Sequence, residues 1–447
     1  MQYRIIAFLL SFLVITQVSA QINGNSPYSR YGIGDLVDEN FLHLRGMGSL
    51  GSSYVDGYHI NIVNPASLAS LKATAFDIGM SATRSTLKSG NETSTAWNGN
   101  LQYLSLAFPL SNPLNEILNQ KKRPYDLGMS FTLMPNSTVG YNITSRDSIA
   151  GIGDVDRSFT GNGGSYKFMW GNAIKYKDFS FGLNLGYLFG QIEYDQIITL
   201  LDLPVAYQDI FTSKYNLNGF IWGVGGMYIK VLNQKNIDEK TTQQAKILSL
   251  GVRIKSATSF STSLTESKLG VQTPTPTNQF VDTVSISSDQ AGSGKLPLEL
   301  GFGASYYHGN KYMVGFDFSA ANWSSYKNDA DPTVAKNPLK NTMNVSLGGF
   351  FRPNHRSYNR YFKRVYYRYG LYYKTDPRVV AGEQINSYGV TFGLGLPFIY
   401  QRKISHANLG IEFGKKGSGS VIEETFFKIN LGFTFNDDEW FLKRKYN

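Results

Sequence analysis

The chain has 447 residues, a formal net charge of +10, and many glycines (45), tyrosines (29) and phenylalanines (29). Charged residues make up only 17% of it, below the roughly 25% of an ordinary soluble domain. The chain has no cysteine, which excludes disulfides, thiolate metal sites and a cysteine nucleophile. This length allows two or three ordinary domains or one large barrel, and the aromatic, glycine-rich composition favours β structure.

The first twenty residues have the organisation of a secretory signal peptide. Arg4 provides the positive start, residues 5–15 form a short apolar run, and Val18-Ser19-Ala20 is a small-residue cleavage site. We expect cleavage after Ala20; the alternative is an uncleaved anchor helix. No later run of about 18 apolar residues could form a transmembrane helix. The sequence therefore predicts an exported protein that enters a membrane only as a barrel.

Segments with strictly alternating apolar and polar residues recur through the rest of the chain. In the last one, Phe427, Leu431 and Phe435 alternate with Lys428 and Asn430. Strands of about ten residues with this pattern, separated by polar turns, are typical of a transmembrane β-barrel, whose sheet must close because lipid cannot satisfy backbone groups. The predicted strands are 74–84, 100–110, 125–137, 164–177, 178–191, 214–231, 244–258, 295–307, 311–322, 341–352, 364–375, 385–396, 404–414 and 424–435.

These fourteen strands predict an all-β, transmembrane antiparallel barrel over residues 73–435. An even number places both ends of the barrel on one side, so the turns near 176–178 and 308–310 are periplasmic. The predicted outer loops are 85–99, 192–213, 259–294, 323–340 and 415–423, with 280–288 as a possible extra strand. The long connections 111–124, 232–243 and 353–363 fit the periplasmic side poorly. The alternative fold is a large soluble β-sandwich or β-helix.

Residues 21–72, which precede the first strand, do not have the barrel pattern. They end with Asn64-Pro65-Ala66. Pro65 fixes its own φ and favours an extended Asn64, whose side chain is suited to bond nearby backbone. An ordinary turn before a strand explains the same three residues. Glycines on the predicted inner faces would let another backbone approach or would relieve barrel curvature; they are Gly182, Gly186, Gly301, Gly303, Gly393 and Gly395.

A signal peptide, a glycine-rich segment, Asn64-Pro65-Ala66 and then about fourteen strands resemble the FadL-like outer-membrane proteins over nearly the whole mature chain. The stretches 133–141 and 436–446 resemble the Bacteroidota branch of that family. The resemblance implies a 14-stranded barrel with residues 21–72 as a hatch inside the lumen and 436–447 as a periplasmic tail. It also implies either passage of small hydrophobic molecules across the outer membrane or a non-transporting accessory role in a secretion or assembly complex.

Two further features are candidate sites. Proline is confined to edges and bulges in sheets, so Pro135 and Asn136 predict a kink in the third strand. The resemblance implies that such a kink opens the wall sideways; a simple strand end is the alternative. The stretch 351–368 is basic and contains no acid, which predicts either a rim in the lipid headgroup region or a docking surface for an acidic partner. Its cations are Arg352, Arg356, Arg360, Lys363, Arg364 and Arg368.

No catalytic pattern emerges. The five histidines are scattered, and neither H-E-x-x-H nor G-x-S-x-G occurs. We therefore predict no enzymatic activity, no cofactor and no metal. The expected partners are membrane lipids, hydrophobic small molecules and other outer-membrane or periplasmic proteins. An exported protein is not expected to bind nucleic acid.

Overall fold

The computed structural model describes residues 26–437, except 91, 111–123, 152, 203–207, 235–236, 238–243, 276–277, 332–337, 401–402 and 418–422. The predicted signal peptide at 1–20 lies outside the described residues, as does the tail from 438 onward. Within the described part of the chain, no helix is long and apolar enough to span a bilayer.

Fourteen antiparallel strands form one closed barrel, as the alternating pattern predicts. The seventh and eighth are each interrupted for three residues and continue in line. The strands, numbered here β1 to β14 in chain order, are Thr74–Ser89, Glu92–Pro109, Tyr125–Ile149, Gly153–Tyr176, Phe179–Leu200, Gln208–Val231, Lys246–Lys255 with Ser259–Thr275, Asn278–Lys295 with Glu299–His308, Tyr312–Ala321, Thr342–Phe351, Tyr366–Val380, Glu383–Tyr400, Lys403–Gly417 and Glu423–Asp437.

The barrel closes where β14 pairs with β1, from Glu423 opposite Lys88 to Asp437 opposite Thr74. The predicted faces of β14 are confirmed, because Asn430 and Thr434 are buried inside whereas Ile429 is exposed on the outside. This inside-out pattern suits a wall with hydrocarbon around it. Complete pairing along this seam leaves no open edge in lipid.

The barrel wall has unequal height. β9 and β10 each have ten residues, which is about the length that crosses a membrane. β3 to β6 each have more than twenty residues, so their outer halves project beyond the membrane. The regions 85–99, 192–213 and 259–294, predicted as loops, are therefore mostly strand, and 280–288 is the outer part of β8. Residues 85–99 and 259–294 are rich in Ser and Thr and lack a clear alternation, because the outer face of a projecting strand is not in contact with hydrocarbon.

The remaining short elements lie before β1 or in the connections between barrel strands. Before β1 come a 3₁₀ helix, a two-residue strand, a short α-helix and another 3₁₀ helix; the connections hold two 3₁₀ helices and one two-residue strand. They are Pro27–Arg30, Asp35–Leu36, Leu42–Arg45, Pro65–Ser70, Trp323–Ser325, Tyr361–Lys363 and Lys327–Asn328. An aromatic core fills the lumen between the projecting strands, with Tyr141, Tyr215, Phe260, Trp323 and Tyr326 all buried.

Candidate functional site: the lumen and the break in the wall

The segment before β1 packs against the inner wall of the barrel through Asn64. The Asn64 amide nitrogen donates to the carbonyls of Ser52 (2.6 Å), Val252 (3.2 Å) and Gly226 (3.3 Å). Its side-chain oxygen accepts from the Ala66 backbone N–H at 3.2 Å and so caps the 3₁₀ helix that starts at Pro65. Pro65 suits this position because the first residues of a helix have no internal acceptor for their N–H groups. Asn64 thus ties the N-terminal segment to both β6 and β7.

Glycine on the inner wall makes room for this contact. A Cβ placed on Gly182 of β5 would lie 2.4 Å from the Ala66 nitrogen, and one on Gly225 of β6 would lie 2.0 Å from the Asn64 side-chain oxygen. No larger residue fits at either position unless the N-terminal segment moves. The predicted close approach of another backbone therefore exists at Gly182, whereas Gly225, which the sequence reading missed, makes room for the Asn64 side chain.

Three carboxylates of the N-terminal segment form ion pairs with the barrel wall. Asp35 lies 2.7 Å from Arg378 and 2.8 Å from Lys416. Asp38 pairs with Lys374 of β11. Glu39 lies 2.6 Å from Lys255 and also pairs with Lys167. Burial by itself would raise the pKa of each of these carboxyls, but the adjacent cations hold the pKa well below its usual range.

A cavity of about 530 Å³ lies between the N-terminal segment and the wall. Most of its lining residues are polar, among them the three carboxylates and their cations, but apolar atoms form about half of the lining surface. Hydroxyl and amide groups of the inner wall line much of the remainder, among them Ser81, Thr83, Asn98, Asn100 and Gln102. Because most of these charges are paired with one another, the cavity has no large excess of either sign.

The wall beside this cavity has a break between β2 and β3. The two strands pair only from Pro109 opposite Gly128 to Leu104 opposite Leu133. Beyond that point β3 pairs instead with the two-residue strand of the N-terminal segment, Asp35 opposite Thr138 and Leu36 opposite Ser137. Among the described residues, no strand pairs with that edge of β2 from Glu92 to Tyr103.

The predicted kink residues lie at this break. The register between β3 and β4 shifts between Pro135 and Ser137, so Asn136 is the extra residue of a bulge. The Asn136 carbonyl accepts from the Val37 N–H at 3.0 Å, and its side chain donates to Ser165 at 3.0 Å. Bulges bend a strand away from its neighbour, which is the local reason that β3 leaves β2.

Three histidines that looked scattered in the sequence come together in the structure, two from the N-terminal segment and one from β13. The ring centroids of His43 and His59 are 4.8 Å apart, and those of His59 and His406 are 4.7 Å apart. All three side chains are buried. Burial is the main reason that the pKa of His43 is well below its usual value, and the charges of His59 and Arg368 add to it. Nothing in the sequence spacing indicates this cluster, because the fold alone brings β13 to the N-terminal segment.

In the described part of the chain, no group of three or more His, Cys, Asp or Glu side chains is arranged to hold a metal ion. The basic stretch is divided by the structure. Arg368 lies inside the lumen, where it is buried and donates to Asn408 at 2.7 Å, so it does not belong to the predicted rim. This follows from the strand period, because Arg368 lies on the lumen face of β11, between the outward-facing Tyr367 and Tyr369. The other five cations, from Arg352 to Arg364, lie in or beside the connection between β10 and β11.

Solved structures with the same architecture are all distant in sequence. A Pseudomonas aeruginosa FadL homologue has 11% identity and a TM-score of 0.56, with 90% of this chain and 99% of that chain covered. The Ralstonia pickettii toluene transporter TbuX has 14% identity and a TM-score of 0.52, with coverage of 90% and 99%. The Pseudomonas putida toluene transporter TodX has 15% identity and a TM-score of 0.51, with coverage of 91% and 99%. No curated protein matches.

The chain shares the fold of the FadL homologue and the two toluene transporters, a closed antiparallel β-barrel of fourteen strands. Within that class the family is settled by sequence, because the BamG family matches residues 1–447. The chain belongs to the BamG family.

Proposed function

We propose that this barrel passes small hydrophobic molecules across the outer membrane, and that they move between the lumen and the bilayer through the break between β2 and β3. One observation carries the proposal: the cavity is lined from both strands beyond the point where they separate, by Asn100 and Gln102 of β2 and by Asn136 and Thr138 of β3. A molecule in the cavity is therefore next to the break between β2 and β3. This break is the only interruption of strand pairing that the described wall shows at this height along the barrel.

The break lies at the depth of the lipid. On the outer face of β2, Leu101 and Leu104 are exposed on either side of the level where pairing stops, and the exposed Trp97 lies further along the strand. Tryptophan at such a position is typical of the membrane interface. The distant neighbours TodX and TbuX are described as toluene transporters, which supports small apolar cargo. Catalysis is not part of the proposal.

A pair of introduced cysteines and a control pair test this route, since the chain has no cysteine of its own. A short cross-linker between Gln102→Cys and Asn136→Cys would tie β2 to β3 across the break. The control pair, Leu106→Cys and Phe131→Cys, joins residues that already pair in the same two strands. Uptake of toluene into vesicles holding the protein should fall at least fivefold on cross-linking the first pair and stay unchanged for the control. Equal uptake in both would exclude the break as the route.

In this proposal the N-terminal segment is the hatch, held by Asn64-Pro65-Ala66 and by the ion pairs of Asp35, Asp38 and Glu39. The hatch then has to shift for cargo to cross the full height of the barrel. Deleting residues 21–72 should raise the conductance of single barrels in a planar bilayer. Unchanged conductance would show that something other than this segment closes the lumen.

A second candidate function is that of an accessory subunit in an outer-membrane secretion or assembly complex. It is favoured by the projecting hairpin of β7 and β8, where Phe280, Val281, Val284 and Ile286 are all more than half exposed. Val284 lies fourteen residues from the lipid-facing Leu298, or roughly 45 Å along an extended strand, so lipid does not cover it. Exposed apolar residues on a strand edge are typical of protein contacts.

The two functions make different predictions. A photo-crosslinking residue at Val284 should capture one defined protein in intact cells if the accessory role is right, whereas the same residue at the exposed Thr95, in the hairpin of β1 and β2, should not. Depletion of the protein should then lower the amounts of other outer-membrane proteins. A depleted strain with normal outer-membrane proteins and impaired toluene uptake would support transport alone.

A further inference from the structure

The connection between β10 and β11 is strongly cationic and lies at the end of the barrel where β1 begins and β14 ends, which is the predicted periplasmic end. From Phe351 to Arg368 the sequence has six basic residues and no Asp or Glu. Once Arg368 is assigned to the lumen, five cations remain in the fifteen residues from Phe351 to Val365. This connection is also long for a turn at that end, and it contains the 3₁₀ helix Tyr361–Lys363.

Among the residues that the structure describes, none of these five cations forms an ion pair with a carboxylate, but two of them make other contacts. Arg352 donates to the Asn310 carbonyl at 3.1 Å and lies 4.2 Å from the Tyr366 ring centre, and Arg364 lies 5.3 Å from that of Tyr361. In the described part of the chain no carboxylate forms an ion pair with Arg356, Arg360 or Lys363. Arg356 and Arg360 are exposed, and Lys363 is half-buried.

Other cations at the same end of the barrel do have carboxylate partners. Lys230, at the end of β6, lies 2.6 Å from Asp178 in the turn between β4 and β5. That pair neutralises its own part of the rim. The contrast shows that the rim is not uniformly basic, because Lys230 is neutralised whereas the cations of the β10–β11 connection are not.

The same connection exposes aromatic rings beside the lipid-facing wall. Tyr358 is 95% exposed and Phe362 is 73% exposed. The hydroxyl of Tyr367 donates to the Phe362 carbonyl at 3.1 Å. Tyr367 lies on the outer face of β11, in line with the exposed Tyr369 and Leu371. Phe362 is therefore held at the outer side of the barrel, where its ring meets the edge of the apolar band.

We propose that this connection, from Arg352 to Val365, binds the anionic phosphate headgroups of the membrane leaflet at the terminal end. Arg356, Arg360 and Lys363 would contact the phosphates, while Phe362 and Tyr358 would enter the interfacial layer beneath them. Unpaired cations next to interfacial aromatics are the combination that anionic bilayer surfaces attract. The Phe362 contact on the lipid-facing wall favours a lipid over an acidic protein, because a docked protein would not need aromatic rings at the depth of the bilayer edge.

The test compares the full-length barrel with a triple variant, Arg356→Gln with Arg360→Gln and Lys363→Gln. Each protein is exchanged into detergent with phosphatidylglycerol or phosphatidylcholine, and the retained lipids are counted by native mass spectrometry. Each cation near an anionic surface is worth about fivefold in affinity, so the triple variant should lose most phosphatidylglycerol and no phosphatidylcholine. The control, Lys230→Gln, should retain phosphatidylglycerol like the parent.

A second measurement does not depend on the triple variant. Tyr358→Cys, labelled with a polarity-sensitive dye, should shift its emission to the blue in phosphatidylglycerol vesicles and less in phosphatidylcholine vesicles. Equal phosphatidylglycerol retention by the parent and the triple variant, or an unshifted dye, would overturn the proposal. Loss of a bound acidic protein from native membranes with lipid retention unchanged would also overturn it, and would make the surface a protein-docking site.

Discussion

Two seams of this barrel differ in a way that the order of the chain does not suggest. The seam between β14 and β1 joins the two ends of the barrel, and it is paired without interruption from Glu423 to Asp437. The seam between β2 and β3 joins consecutive strands and has only six residue pairs. Weak pairing is therefore not a consequence of chain ends meeting. It results from a bulge at Asn136 and from the N-terminal strand that pairs with β3 in place of β2.

The closed seam should be intolerant of charge on its outer face. Leu431 faces lipid in the middle of β14, opposite Met80 of β1. Leu431→Arg should lower the free energy of unfolding in vesicles by about 2–4 kcal/mol, the range for a lipid-facing arginine near the bilayer midplane. Ser81→Arg, next in sequence to Met80 but lining the cavity, should cost far less. Denaturant unfolding in lipid vesicles measures both, and a larger loss for Ser81→Arg would mean that the two faces are assigned the wrong way round.

The closed seam also shows what the sequence could predict. Strict alternation in the membrane-spanning parts determined the number of strands and their faces, because lipid outside and polar groups inside leave no other arrangement. The outer halves of β7 and β8 have polar residues on both faces, so the period of two disappears at 259–294 although the strands continue.

The contents of the lumen were harder to predict. Asp38 and Lys374 are 336 residues apart in sequence, and single charges in an N-terminal segment and in a strand carry no signal that they will pair. His43, His59 and His406 likewise meet only because the barrel closes around the N-terminal segment. The Asn64-Pro65-Ala66 motif was visible because local chemistry, an amide before a proline, fixes its own conformation.

The N-terminal segment should depend strongly on the space left for it by glycine. Gly225→Ala would place a Cβ 2.0 Å from the Asn64 side-chain oxygen, so Asn64 must move and give up its hydrogen bonds. Losing hydrogen bonds of a buried amide costs about 1–3 kcal/mol. The adjacent Gly226→Ala is a matched control, because its nearest neighbour would be the Val252 side chain at 3.5 Å, an ordinary contact.

Hydrogen exchange of residues 60–70 in detergent measures this effect. It should accelerate at least fivefold for Gly225→Ala and remain near the parent rate for Gly226→Ala. Similar rates in the two variants would show that the wall of β6 does not hold the segment. Some other contact would then have to keep the N-terminal strand paired with β3 in place of β2.

Acid should loosen the same segment through His43. Its pKa in the folded barrel lies below the usual value because of burial, so an undocked segment binds a proton at a pH where the docked one does not. Docking therefore loses stability as the pH falls below about 6.5, by up to about 1.4 kcal/mol per pH unit for one such group. Once the pH dependence of intrinsic amide exchange is divided out, the protection of residues 41–45 should be weaker at pH 5 than at pH 7.5, and His43→Phe should flatten that dependence. A slope unchanged in His43→Phe would assign the effect to another group.

The smallest effect is expected at Pro135, and it separates the two causes of the open seam. Proline lacks an N–H and often ends a ladder, but the bulge and the pairing of Asp35–Leu36 with Ser137 and Thr138 both remain in Pro135→Ala. We therefore expect the break to persist, with stability lowered by less than about 1 kcal/mol through the gain in unfolded-chain entropy, and with toluene uptake unchanged. Exchange at Gln102 of β2 reports on the seam, since this residue lies opposite no residue of β1 and would gain protection if β3 paired with it. Slower exchange there together with reduced uptake would show that the proline itself keeps the wall open, and that the N-terminal strand merely occupies an edge already free.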